Sequence, residues 1–115
     1  MFGRKKEQPV QLDPNLEMNQ LFADLAVMLY RNVAGGEIGI EVKGALEFDA
    51  QQRISNLKNI MANGQPIVPE PSLIEAMNKR IITTLSVLPE IYTLRRLELY
   101  INADGSYGAT PTYLK

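Results

Sequence analysis

The 115-residue chain contains no cysteine and no histidine. Without cysteine there can be no disulfide, thiolate nucleophile or Cys-ligated zinc or iron–sulfur centre. Without histidine the commonest general base and metal ligand is gone, so a serine nucleophile would have to rely on lysine. Long apolar runs are missing too: no stretch approaches the roughly 18 residues of a membrane helix, and nothing near the N-terminus reads as a signal peptide. Neither sign of charge dominates. Twelve Lys and Arg face thirteen Asp and Glu, a net charge of -1, so no global field draws the protein to nucleic acid or anionic lipid. These absences predict a cytoplasmic protein with neither nucleic acid nor membrane as partner.

What is present is ordinary globular composition, 45% hydrophobic and 22% charged, in a length that suits one domain with one core. Residues 1–12, with the basic trio Arg4, Lys5 and Lys6, are expected to form a flexible tail, and 13–115 a single domain.

Asp13-Pro14 is a helix start, the carboxylate accepting from free first-turn N–H groups while Pro fits the first helical position. The helix is expected from about Pro14 to Val33, where Gly35-Gly36 stops it. Its apolar residues, Leu16 to Val33, cover more than one face, which demands burial on several sides. In "EIGIEVKGALEFD" the period becomes two, with Ile38, Ile40, Val42, Leu46 and Phe48 alternating against Glu37, Glu41, Lys43, Glu47 and Asp49. One long strand bent at Gly44 is preferred over a hairpin at Lys43-Gly44. "DAQQRISNLKNIMANG" reads as a short amphipathic helix, with Ile54, Leu57, Ile60 and Met61 as its stripe, an Asp49/Gln52 capping box and an Asn63-Gly64 stop. "QPIVPEP" is a crossing segment with Ile67 and Val68 tucked against the core. Ser72 and Glu75 form a capping box for a second amphipathic helix, which Pro89 ends or kinks.

"YINADGSYG" (Tyr100 to Gly108) resembles part of a calcium loop. Aligned on Gly105, however, the first and twelfth ligand positions are Tyr100 and Pro111, neither of which can coordinate calcium. It is therefore a turn. A loop with Gly105 left-handed pairs Ile101 with Tyr107, Leu99 with Ala109 and Leu97 with Pro111, keeping the apolar side chains of both strands on one face. Pro111, unable to donate to a ladder, places the last strand at a sheet edge.

The expected architecture is α+β, order α-β-α-α-β-β, with an antiparallel sheet of about three strands and helices packed on one of its faces. The other face is polar and gathers the candidate binding residues Glu41, Lys43, Glu98, Tyr100, Asn102, Thr110 and Thr112. Catalytic motifs are missing. "AGGEIG" follows a helix rather than a strand, the reverse of a dinucleotide fingerprint. Glu37, Glu41 and Glu47 with Asp49 or Glu98 could hold magnesium, though solvated strand residues would look the same. Lys79-Arg80 and Arg95-Arg96 read as salt-bridged surface, and Asp24, isolated in "LFADLAVML", as a residue at the solvent edge of its helix. The pattern points to a non-catalytic protein-binding module without cofactor, of inhibitor, immunity-protein or chaperone/adaptor type. It would use the polar face or the C-terminal edge strand, the latter also capable of forming a homodimer. The alternative is a carboxylate- and divalent-metal-dependent enzyme or a nucleotide-binding protein.

Overall fold

A computed structural model describes residues 13–113; the tail with Arg4, Lys5 and Lys6 lies outside them. Helix α1 (Pro14–Ala34) starts as its sequence dictates. Asp13 Oδ1 accepts from the N–H groups of Asn15 (3.0 Å) and Leu16 (3.4 Å), and Gly35 closes the helix at φ 63°. Strand β1 (Val42–Phe48) follows, then β2 (Ile54–Ala62), the two-residue β3 (Gln65–Pro66), helix α2 (Pro71–Leu85), and strands β4 (Leu94–Ile101) and β5 (Tyr107–Tyr113). The strands form one antiparallel sheet in the order β3-β2-β1-β4-β5. The fold is α+β as expected. Among the described residues the sheet has five strands rather than about three, and two α-helices pack on it rather than three.

The difference lies in residues 54–62, which are β-strand where the spacing suggested a helix. β2 carries two irregularities against β1. Phe48 pairs with Ile54 but Glu47 with Asn56, and Ala45 pairs with Lys58 but Lys43 with Met61. Each inserts one extra residue. The inward positions therefore fall three apart, at Ile54, Leu57 and Ile60, and imitate one face of a helix. Asn59 supports the second bulge with a φ of 56°. Asn63 and Gly64, read as a helix stop, both have positive φ (49° and 80°) and form the tight β2–β3 turn. Asp49 caps no helix; its Oδ1 accepts from the N–H groups of Gln51 and Arg53 and shapes the β1–β2 turn.

The 37–48 strand is shortened to Val42–Phe48, with no hairpin at Gly44. Gly39 at φ 77° interrupts the extended backbone. The preceding segment is held on α1 by Tyr30, whose hydroxyl donates to the Glu37 carbonyl (2.8 Å) and accepts from the Ile40 N–H (3.4 Å). Ile38, placed on the apolar parity, is 91% exposed. Gly44 makes room for packing: a Cβ there would run into the Cδ1 of Ile60, which lies across it and would have to shift. Ile67 and Val68 are not tucked inside; Val68 is 94% exposed. The Ser72/Glu75 capping box is not formed either. α2 begins at Pro71 after Glu70, whose side chain makes no cap and whose N–H donates to Asn32 Oδ1 of α1 (3.1 Å).

The C-terminal hairpin has the anticipated register. Ile101 pairs with Tyr107, Leu99 with Ala109 and Leu97 with Pro111, and Gly105 is left-handed at φ 92°. The Asn102 N–H donates to the Ser106 carbonyl (2.7 Å) and the Gly105 N–H to the Asn102 carbonyl (2.9 Å). The core lies between helices and sheet, where Leu21, Leu25 and Leu29 of α1 and Met77 and Ile81 of α2 meet Val42, Leu46, Leu94, Leu97 and Leu99. Each such side chain contributes about 1.5–3 kcal/mol by leaving water.

Candidate functional site

The outer face of the sheet brings together only some of the predicted binding residues. Lys43 pairs with Tyr100, and Glu98 with Thr110. Tyr100 lies over Gly108, its partner across the hairpin, where any Cβ would strike the phenol ring. The aromatic covers backbone that the glycine leaves bare, and still presents half its surface to solvent. A shallow hollow of about 310 Å³ opens beside it, with Lys43, Ala45, Met61, Arg96 and Glu98 on its walls. Thr110 and Thr112 are exposed on β5. Glu41 stands just before β1, its N–H donating to Asn63 Oδ1 (2.9 Å). Asn102 belongs to the hairpin loop, where its Nδ2 donates to Ser106 Oγ (2.9 Å). Asn102 is thereby tied into the loop, whereas Glu41 prolongs the β1–β2 pairing, its carbonyl also accepting from the Asn63 N–H (2.7 Å).

Charge on this face is internally matched. Glu47 Oε2 lies 3.3 Å from Lys58 Nζ and 3.4 Å from Arg96 Nη1, and Arg96 Nε is 3.2 Å from Glu98 Oε2 without the angle of a hydrogen bond. Asp24 is a solvent-edge residue, as its sequence context suggested, paired at 2.7 Å with Arg80 of α2. No three acidic residues among those described come together as a metal site. No helix among them is long and apolar enough to cross a membrane.

The feature that sequence reasoning located only in part is the flank of β5. Among the described residues β5 has no strand on its outer side. Backbone groups alternate along an antiparallel pair. Because the Asn102 N–H bonds to Ser106 across the loop, Gly108, Thr110 and Thr112 point their N–H and C=O groups at β4. Tyr107, Ala109, Pro111 and Tyr113 point theirs away from the sheet, and Pro111 there sacrifices a donor that β4 does not need. The side chains of these same four residues face the helices, beside α1. Two hollows run along that seam and share Tyr107. One, of about 620 Å³, is walled by Ala23, Val27, Tyr30, Ile38, Ile101 and the hairpin tip; the other, of about 520 Å³, by Met18, Phe22, Ala109, Pro111 and Tyr113. Val27 is 47% and Tyr107 42% exposed. The clue in the sequence was that α1 is apolar on several faces: Met18, Leu21, Phe22, Leu25, Ala26 and Leu29 are buried, while Val27 stays 47% exposed beside β5.

Two groups here titrate abnormally. Hydrogen bonds from the Ser106 hydroxyl (2.7 Å) and N–H (2.9 Å) hold the Asp104 carboxyl below its ordinary value. Partial burial, and secondarily Tyr92, which meets it edge to face with ring centroids 5.9 Å apart, raise the Tyr113 phenol. No family model, curated protein or solved structure matches this chain.

Proposed function

We propose that the protein is a non-catalytic protein-binding module that takes an extended segment of its partner as an additional strand on β5. The observation that carries this reading is the coincidence, on Tyr107, Ala109 and Tyr113, of outward backbone groups with side chains bordering hollows beside α1, the one at Tyr107 mainly apolar and the one at Ala109 and Tyr113 mixed, with Asn15 and Asn19 on its wall. Strand addition needs both: main-chain hydrogen bonds supply affinity, and pockets for alternate side chains supply specificity. The contrast with the opposite edge adds support. β2 is covered in part by β3, carries Lys58 and is kinked by the bulge at Asn59, devices that discourage edge pairing. β5, "YGATPTY", has no charge and only Pro111 as a deterrent.

The test is selection of random displayed peptides on the immobilised full chain, followed by amide hydrogen exchange of the complex. Binders should alternate apolar residues and slow exchange at Tyr107, Ala109 and Tyr113. Ala109→Pro, which removes one outward donor, should weaken them about tenfold. Binders that leave these amides unprotected, or that bind Ala109→Pro equally well, would overturn the proposal.

A further inference from the structure

We infer that the strand received by β5 is the β5 of a second copy of this chain, the two sheets joining antiparallel across a two-fold axis at Thr110. The inference rests on the strand-addition reading and names its occupant. Charge is the first argument. A seven-residue strand without Lys, Arg, Asp or Glu can lie against its own copy without like charges meeting, whereas β2, with Lys58, cannot do so as readily.

Register is the second argument. Outward-facing residues must pair with outward-facing residues, which leaves few self-complementary alignments, and Pro111 separates them. Centring the axis on Ala109 leaves Tyr113 beyond the partner's strand and opposite its turn. Centring it on Pro111 sets two residues without donors face to face at the middle. With the axis at Thr110 the two strands overlap along their whole length. Tyr107 then exchanges both bonds with the partner's Tyr113, and Ala109 donates to the partner's Pro111, roughly six bonds in all. One occupant also accounts for the groove, because the partner's inward side chains continue the row beside α1 and cover Tyr107 and Val27.

The axis sets the test. On the outer face Thr110 would stand opposite its own copy, and it is exposed, so a charged side chain there stays in solvent. Opposite Glu98 within its own sheet, Lys is slightly favoured and Glu slightly disfavoured, which thermal unfolding of each monomer measures separately. Sedimentation equilibrium of the full chain should give twice the 12.9 kDa mass at high concentration. Thr110→Lys and Thr110→Glu should each weaken the dimer about fivefold, and an equimolar mixture of the two should restore it. Hydrogen exchange should slow at Tyr107, Ala109 and Tyr113 as concentration rises. A wild-type chain that stays monomeric at millimolar concentration, or a dimer that ignores both substitutions, overturns the second-copy inference while leaving peptide addition to its own test. A dimer in which those three amides exchange freely likewise overturns the second-copy inference, and displayed peptides that also leave them unprotected overturn strand addition itself.

Discussion

Gln52 offers a sharp test of how the fold is held, because its side chain does the work of backbone. Strand β1 pairs with β4 only as far as Glu47 opposite Arg96, and the bulge at Arg95 leaves Leu94 beyond the ladder. The Gln52 carboxamide fills that place: Leu94 N–H donates to Oε1 at 2.6 Å, and Nε2 donates to the Leu94 carbonyl at 2.8 Å. Gln52→Ala strands both backbone groups of a residue that is 1% exposed. At about 1 kcal/mol per lost partner, the low end of the penalty for a buried polar group, the loss is about 2 kcal/mol. That corresponds to a fall of about 8 °C in melting temperature for a domain of this size. Gln52 also sits at φ 64°, where a Cβ costs about 1 kcal/mol that glycine avoids. Gln52→Gly should therefore lose the same two bonds yet be about 1 kcal/mol more stable than Gln52→Ala. Urea and thermal unfolding followed by circular dichroism measure both variants. Gln52→Ala within 0.5 kcal/mol of wild type (about the noise of single surface changes), or Gln52→Gly no better than Gln52→Ala, would refute the reasoning.

Two further predictions follow from the same geometry. Leu46→Ala, at a fully buried position on the central strand opposite Leu57 and Leu97, should cost about 3–4 kcal/mol by transfer and cavity terms; a loss below about 1 kcal/mol in urea titration would mean the core is not closed there. Asp104 titrates low because the folded loop favours its ionised form. Its contribution to hairpin stability is thus complete above the unfolded carboxyl pKa and is lost as pH falls through the lower folded value. Carbon-detected NMR titration should place Asp104 below a free aspartate, with Ser106→Ala moving it upward, and an Asp104 midpoint at or above the free value would contradict the loop geometry.

What the sequence determined by itself is what short-range chemistry can decide. Asp13-Pro14 and Gly35 bound α1, because capping and left-handed glycine involve only neighbouring residues. The phase of the last hairpin followed from Gly105, Pro111 and the requirement that Leu97, Leu99 and Ile101 share an apolar face with their cross-strand partners. The binding candidates were legible as a set of polar parities, but not as a site, since Asn102 is tied into the hairpin loop, Glu41 precedes β1 and Tyr100 lies over Gly108. Tertiary structure alone decided the identity of β2. Ile54, Leu57 and Ile60 recur every three residues, a spacing that suits a helix and equally suits a strand with a bulge in each interval. Pairing with β1, and the space above Gly44 that Ile60 fills together with Leu29, select the strand. Of the β5 flank, Pro111 made the edge legible but not the hollows beside it, because whether an apolar helix residue is covered depends on where distant elements run, and here they leave Val27 exposed.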